Sequence, residues 1–317
     1  MYETVVWFLL AFVFLWIGSG LVVNTITSIS HRLHISSFFL SFFVLGFFTS
    51  ITEIVVGVTA VIDKQPEIFV GNLVGGSVVI FLLIIPLLAI VGNGVSLNHS
   101  FSFKDLIAAA IVVGFPALLT LDNRISIIDA VTCIVIWAFF VFMMEKSSRS
   151  LNKIVHLDIK ESSLFLSLFQ IVMGVLLIFF ASKVLVDHTV TLGQTLNISP
   201  FIVSMLLVSI GTNIPETSIA VRSIISKKKD IAFGNYVGSA ALNTLEMGVL
   251  SVITGTTIPA NGSNYSILIF LVGLAYFVYF VKSRSTISRR EGALILGFYA
   301  IFVIFEIFTG PGWQLVK

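Results

Sequence analysis

Two glutamates stand where glutamates are costly. Glu53 and Glu216 each lie near the middle of an apolar stretch, residues 38–62 and 198–225. A charge at the centre of a membrane-length helix costs about 2.5–3.5 kcal/mol on insertion scales. Thr49 and Ser50 precede Glu53 by four and three residues, and Thr212 and Asn213 precede Glu216 likewise. That spacing puts all three groups on one helical face. Carboxylate, hydroxyl and amide oxygens are the ligands of hard cations, of which Ca2+ takes six to eight. The next apolar stretch opens with Gly71-Asn72 in one case and Gly234-Asn235 in the other. The amide can ligate a cation or steady a glutamate, and the glycine lets two helices approach closely. Protonated acids, or amides and hydroxyls bonded between helices, are the plainer alternatives. Ion pairing has one candidate: Arg222 is the basic residue inside these stretches, six positions past Glu216 on another face, where it can snorkel. A bound cation is then the simplest match for two acids.

The two constellations are copies. Residues 33–75 shifted by 163 fall on 196–238 without a gap, and sixteen of the 43 pairs are identical. Chance matching of apolar segments repeats Leu, Ile, Val and Phe. Here it repeats Thr49/Thr212, Glu53/Glu216, Gly71/Gly234, Asn72/Asn235 and Gly75/Gly238. Duplicated hydrophobic segments with a polar centre point to the binding site of a transporter.

The elements that must hold these residues are membrane helices. The chain is 57% hydrophobic and 11% charged, with a mean hydropathy of +1.08, against about 25% charged residues in soluble domains. Ten stretches approach the roughly 20 apolar residues needed to span a bilayer: about 4–24, 38–62, 68–92, 103–121, 126–145, 163–186, 198–225, 231–254, 264–282 and 291–309. Glu3 and the lack of a basic segment before the first favour a retained helix over a cleaved leader. Arg32, Lys104, Lys146, Arg149, Lys153, Lys160, Lys227, Lys228, Lys229, Lys282, Arg284, Arg289 and Arg290 fall on one side of that arrangement, and Lys64, Arg124, Lys183 and Lys317 on the other. The basic side is expected to be cytoplasmic and both termini extracytoplasmic. The fold class is therefore all-α and integral to the cell membrane: ten transmembrane helices as two inverted five-helix repeats, 1–145 and 163–317, joined by a cytoplasmic linker over 146–162. Five is odd, so the second repeat enters upside down. The lipid bilayer is the expected partner; neither nucleic acid nor a protein partner is indicated. The single Cys133 excludes an internal disulfide and reads as apolar filler. His31 and His34 share a turn without a third ligand, which argues against zinc. Asp122, Asp129, Asp187 and His188 read as outer-rim groups.

Gly211-Thr212-Asn213-Ile214-Pro215-Glu216 resembles the Gly-Thr-Ser-x-Pro-Glu signature of the cation/calcium exchanger superfamily. Gly234-Asn235-Tyr236-Val237-Gly238-Ser239-Ala240-Ala241-Leu242-Asn243 resembles its Gly-Asn-x-x-Gly-Ser-Asn/Asp-x-x-Asn partner. The first repeat has a worn form, Thr49-Ser50-Ile51-Thr52-Glu53 and Gly71-Asn72-Leu73-Val74-Gly75. The resemblance covers nearly the whole chain, as a divergent member with the membrane plan of sodium/calcium exchangers. It implies an ion-binding core of spans 2, 3, 7 and 8, across which spans 1 and 6 slide. It also implies ligands at Glu53, Glu216, Thr49, Ser50, Thr212, Asn213, Asn72, Asn235, Ser77 and Ser239. The Gly211 carbonyl joins them, since Pro215 has no N–H to engage it.

The departures set further expectations. Phe48 and Thr52 replace the signature glycine and proline, so span 2 is expected to be less broken than span 7. Gly76-Ser77 stands where the family has Ser-Asn, and Ala240 where it has an acid or amide. Glu246 lies about 20° from Asn235 around the helix, on the stripe that carries Ser239 at about 40°. Its first-repeat counterpart is Leu83, so it reads as an unduplicated extra acid or an interfacial one. No enzyme signature or cofactor is expected. The functional expectation is a secondary-active antiporter exchanging Ca2+ for Na+. Ca2+/H+ antiport (or another cation against H+) is the alternative, with a cation channel or a transport-inactive homologue behind it.

Overall fold

The computed structural model describes residues 2–33, 40–96, 103–151, 165–181, 200–226, 229–260, 262–284 and 286–309. The expectations for His34, Asp187, His188, Lys227, Lys228 and linker residues 152–162, and for the side chains of His31 and Arg32, lie outside the described residues.

Apolar sequence with its backbone satisfied internally becomes helix. In chain order the helices are α1 (Tyr2–Leu33), α2 (Ser41–Ile62), α3 (Glu67–Val91), α4 (Phe103–Leu119), α5 (Ile127–Leu151), α6 (Phe165–Ala181), α7 (200–225), α8 (Lys229–Thr254), α9 (Asn264–Arg284) and α10 (Arg289–Thr309). Among the described residues, seven stretches are long and apolar enough to cross a membrane, within α2 to α5 and α8 to α10. The Trp16–Ile26 part of α1 and all of α6 are shorter apolar helices. The protein is thus a helical, multi-pass membrane protein.

Two short antiparallel ladders fix the topology. Val95–Ser96 (β1) pairs with Thr286–Ile287 (β4), and Arg124–Ile125 (β2) with Ile258–Pro259 (β3). β1 precedes α4 and β2 follows it, so the ladders lie at opposite ends of that helix. Shifting Val95 by 163 gives Ile258, so the matching segments β1 and β3 sit at opposite ends of the bundle.

The duplication extends to backbone irregularities. α2 begins with a π-helical turn at Ser41–Leu45, continues as Gly46–Thr49, breaks at Ser50 (ψ 0°) and resumes over Ile51–Ile62. α7 has a π-helical turn at Ser204–Val208, then Ser209–Thr212, a break at Asn213 (ψ 9°) and Ile214–Ile225. Every boundary is displaced by 163. The expectation of a less broken span 2 is therefore wrong. A proline is not needed: the Thr52 hydroxyl lies 3.1 Å from the Thr49 carbonyl, a side-chain partner at the same break. α3 and α8 differ, since α3 has a π-helical segment at Val79–Ile84, just before Pro86, where α8 runs through unbroken.

α3 and α8 are the most enclosed spans. Gly71 and Gly75 of α3 face the backbone of Phe201 and Met205 in α7; Gly238 of α8 faces that of Phe42 in α2. A second apolar cluster joins α1 (Val22, Val23, Ile26) and α6 (Ile171, Val175, Ile178) to Leu45 of α2, Ile219 of α7 and Ile231 of α8. The backbones of α1 and α6 cross at Gly18 and Gly174. Cys133 is buried in the main core. Asp122 pairs with Arg124 at 3.2 Å on the surface, and Asp129 caps α5 by accepting from the Ser126 N–H at 2.8 Å.

Glu306 of α10 is fully buried and was not marked by the sequence reading. Its Oε2 accepts from the Ser263 N–H at 3.2 Å, at the head of α9. A carboxylate there satisfies an orphan donor and complements the helix dipole. Glu306→Ala is expected to cost about 1–2 kcal/mol of stability, visible as a lower thermal midpoint of the detergent-solubilised protein. An unchanged midpoint would deny the contact any weight.

Candidate functional site

The site lies where the breaks of α2 and α7 meet α3 and α8. Contacts rise together along α2 and α8: Gly46 faces Gly238, and Gly57 faces Leu250. They rise together along α3 and α7 as well: Gly71 faces Phe201, and Gly75 faces Met205. Two parallel helix pairs thus bring the duplicated polar residues of both halves into one buried group. Glu53 is 1% exposed and Glu216 0%; Thr49, Ser50, Thr212, Asn213, Asn72, Asn235, Ser77, Ser239 and Gly211 are buried with them.

Each half completes the other. Thr49 Oγ1 meets Asn235 Oδ1 at 3.2 Å, and Thr212 Oγ1 meets Asn72 Oδ1 at 3.2 Å. Adding 163 to Thr49 and Asn72 gives Thr212 and Asn235, so these are one contact made twice. Each hydroxyl has one proton and already has a carbonyl of its own helix, Leu45 for Thr49 and Ser209 for Thr212. The amide nitrogens of Asn72 and Asn235 have no partner. Amide orientation is assigned from the network. Turning both amides lets each donate to its threonine and frees two Oδ1 acceptors.

Around Glu216, Ser239 Oγ donates to Oε1 at 2.8 Å and sits 3.0 Å from Ser50 Oγ. Around Glu53, Thr52 Oγ1 lies 2.6 Å from Oε2 and 3.1 Å from the Thr212 carbonyl of the other half. Glu53 Oε1, Glu216 Oε2 and Asn213 Oδ1 are buried without partners. Among the described residues the one ion pair is Arg124–Asp122, so no basic side chain compensates either glutamate. Arg222 instead lies over the Trp16 ring, 4.8 Å from its centroid. Buried acids without a basic partner and with open oxygens have the chemistry that a hard cation requires of its ligands.

The expected ligands are not all alike. Ser77 is turned onto its own helix, donating to the Leu73 carbonyl at 3.3 Å. Gly76 holds the place equivalent to Ser239 (76 + 163). The space its missing side chain leaves is filled from the second half: the amide nitrogens of Asn243 and Asn213 lie 3.1 and 3.2 Å from where a Cβ would stand. Ala240 belongs to the apolar core. Asn243 was missed as a site residue by sequence reasoning. It is 1% exposed, its Nδ2 reaches the Leu73 carbonyl at 3.4 Å and its Oδ1 has no partner. Its signal was its place as the last residue of the second motif. Glu246 is 7% exposed with both oxygens unpartnered.

Over 298 residues the chain is 23% identical to an uncharacterised membrane protein of Methanocaldococcus jannaschii, covering 94% of this chain and 96% of that one. Over 336 residues it is 19% identical to the sodium/calcium exchanger MaX1 of Methanosarcina acetivorans, covering 93% and 96%. Its fold matches the solved structure of the sodium-calcium exchanger NCX_Mj soaked with Na+ and Sr2+, with a TM-score of 0.79 at 22% identity over 96% of this chain and 98% of that one. The family model described as sodium/calcium exchanger protein matches twice, at residues 3–145 and 166–308. With one match on each half of the cross-built site, the chain belongs to the sodium/calcium exchanger protein family.

Proposed function

We propose that the chain is a secondary-active antiporter exchanging Na+ for Ca2+ by alternating access around this site. The observation that carries the reading is the pair of buried glutamates, each with an open oxygen and no basic partner among the described residues. Two negative charges match one Ca2+ or two Na+, so one site can serve both in turn. Glu53 and Glu216 bear the charge. Thr49, Ser50, Thr212, Asn213, Asn72, Asn235, Ser239 and Asn243 supply neutral oxygens, with the Gly211 carbonyl beside them. Ser77 supports the site through its helix.

In this reading α1 to α10 are ten spans in two inverted repeats, 1–145 and 163–317, joined by 146–162. The opposite placement of β1 and β3 supports the inversion. The basic loops face the cytoplasm and both termini the other side. α1 and α6, whose backbones cross at Gly18 and Gly174, are the bundle that slides to change access.

One contact favours proton coupling as a second reading. Thr52 Oγ1 faces three acceptors, at Glu53, Thr49 and Thr212, with a single proton of its own. A proton on Glu53 completes that network, and a Ca2+/H+ antiporter would pass through such a state.

The deciding measurement is 45Ca2+ uptake into voltage-clamped proteoliposomes with an outward Na+ or an outward H+ gradient. Uptake driven by Na+ is expected. Uptake driven by H+ alone would replace the first reading with the second, and uptake with neither would refute both. Ser239→Ala removes the hydroxyl from Glu216 Oε1 and from Ser50. It is expected to weaken Ca2+ affinity by about tenfold, one hydrogen bond to a charged group, read as a shift in half-saturating Ca2+.

A further inference from the structure

Glu246 is not explained by a two-glutamate site. Family motifs do not include it, and its first-repeat counterpart is Leu83. The α2–α8 register locates it. Gly46 and Gly57 of α2 face Gly238 and Leu250 of α8, differences of 192 and 193, which carry Glu53 to the level of 245 and 246. Glu246 therefore stands beside Glu53 on the adjacent parallel helix, within electrostatic reach of Glu53 and Glu216. It is enclosed, and neither of its oxygens has a partner. One turn earlier on α8, Asn243 Oδ1 is buried and open too, as is Glu53 Oε1. Arg222 is engaged with Trp16, and among the described residues the single ion pair is at the surface.

We propose that Glu246 creates an accessory position for a monovalent cation beside the central site, shared with Glu53 Oε1 and Asn243 Oδ1. The inference rests on the exchanger reading and deepens it by assigning where an additional Na+ sits. Charge selects the ion. Glu53 and Glu216 balance one divalent cation, and the third carboxylate leaves one negative charge. A monovalent cation cancels it, whereas a second divalent cation leaves an uncompensated positive charge in a low-dielectric interior. The Na+-loaded protein then holds one more Na+ than the two central glutamates neutralise. The position exists only in the second repeat, since Leu83 stands at the equivalent place in the first.

The test is equilibrium 45Ca2+ binding to the purified protein in detergent, displaced by increasing Na+. For Glu246→Gln, Ca2+ affinity is expected to stay within about threefold of the unmodified chain, and the Hill coefficient of displacement to fall by about one. Glu246→Leu installs the first-repeat residue and is expected to behave the same way, which guards against a defect peculiar to the amide. Displacement as steep as in the unmodified chain would overturn the proposal. So would loss of Ca2+ binding together with Na+ sensitivity, which would move Glu246 into the divalent site. Failure of both variants to fold would assign it to packing instead. Failure of the unmodified chain to bind Ca2+ would refute the exchanger reading itself, and that outcome is seen before any variant is made.

Discussion

Glu53→Gln and Glu216→Gln are each expected to reduce 45Ca2+ uptake to the level of protein-free vesicles while the protein still inserts and purifies. Glutamine keeps the length and one carbonyl oxygen, so the change is almost purely one of charge. At an effective dielectric near 20, a unit charge about 4 Å away contributes about 4 kcal/mol, doubled for a divalent ion. Desolvation takes back a large part. Even about 4 kcal/mol remaining is roughly a thousandfold in affinity, beyond what any single neutral ligand at this site supplies. The two variants should be equivalent, because each acid has one oxygen engaged by a hydroxyl and one open. Stability should hold or rise, since a buried uncompensated charge is removed. Normal uptake in either variant would sink the site assignment, however well the fold matches.

The duplicated residues were legible because the fold needs them twice. Thr49/Thr212 and Asn72/Asn235 make the same cross-half contact in both places, and Glu53/Glu216 stand buried at equivalent positions beside it, so an ungapped shift of the sequence against itself reveals them. The same logic conceals what is used once. Asn243 has Ile80 as its counterpart, so no repeat marked it, although it fills the room left by Gly76. The break at Ser50 was hidden because proline and glycine, its usual signals, are absent there. The backbone breaks all the same, with the Thr52 hydroxyl near the Thr49 carbonyl. Glu306 carries no local pattern, since its partner Ser263 is 43 residues away. The ladders are two residues per strand, too short for alternation to register.

Gly75→Ala and Gly238→Ala are expected to prevent accumulation of a monodisperse, thermally stable protein. A Cβ on Gly75 would run into the Met205 carbonyl oxygen, and one on Gly238 into that of Phe42. Since 75 + 163 is 238 and 42 + 163 is 205, this is one close approach made twice: helix backbone against the π-helical turn of its neighbour. Overpacking by a methyl group costs about 1–3 kcal/mol when side chains can move aside. Here the obstacle is main chain on both sides, at Met205 Cα (2.8 Å) and Phe42 Cα (3.1 Å) as well as the oxygens. Relief therefore means separating two spans, and the cost belongs at or above the top of that range. Partial folding would still damage the site, because the same helix pairs bring Asn72 to Thr212 and Asn235 to Thr49. Gly297→Ala on α10 is the control: its Cβ would meet nothing within 4 Å, and alanine favours a helix over glycine by about 1 kcal/mol. Fluorescence-detected size exclusion after a thermal ramp should therefore rank Gly297→Ala at or above the unmodified chain and both other variants far below it. Unmodified-like profiles for Gly75→Ala and Gly238→Ala would mean that the spans can separate by the width of a methyl group without loss, and that these glycines do not set the spacing of the site.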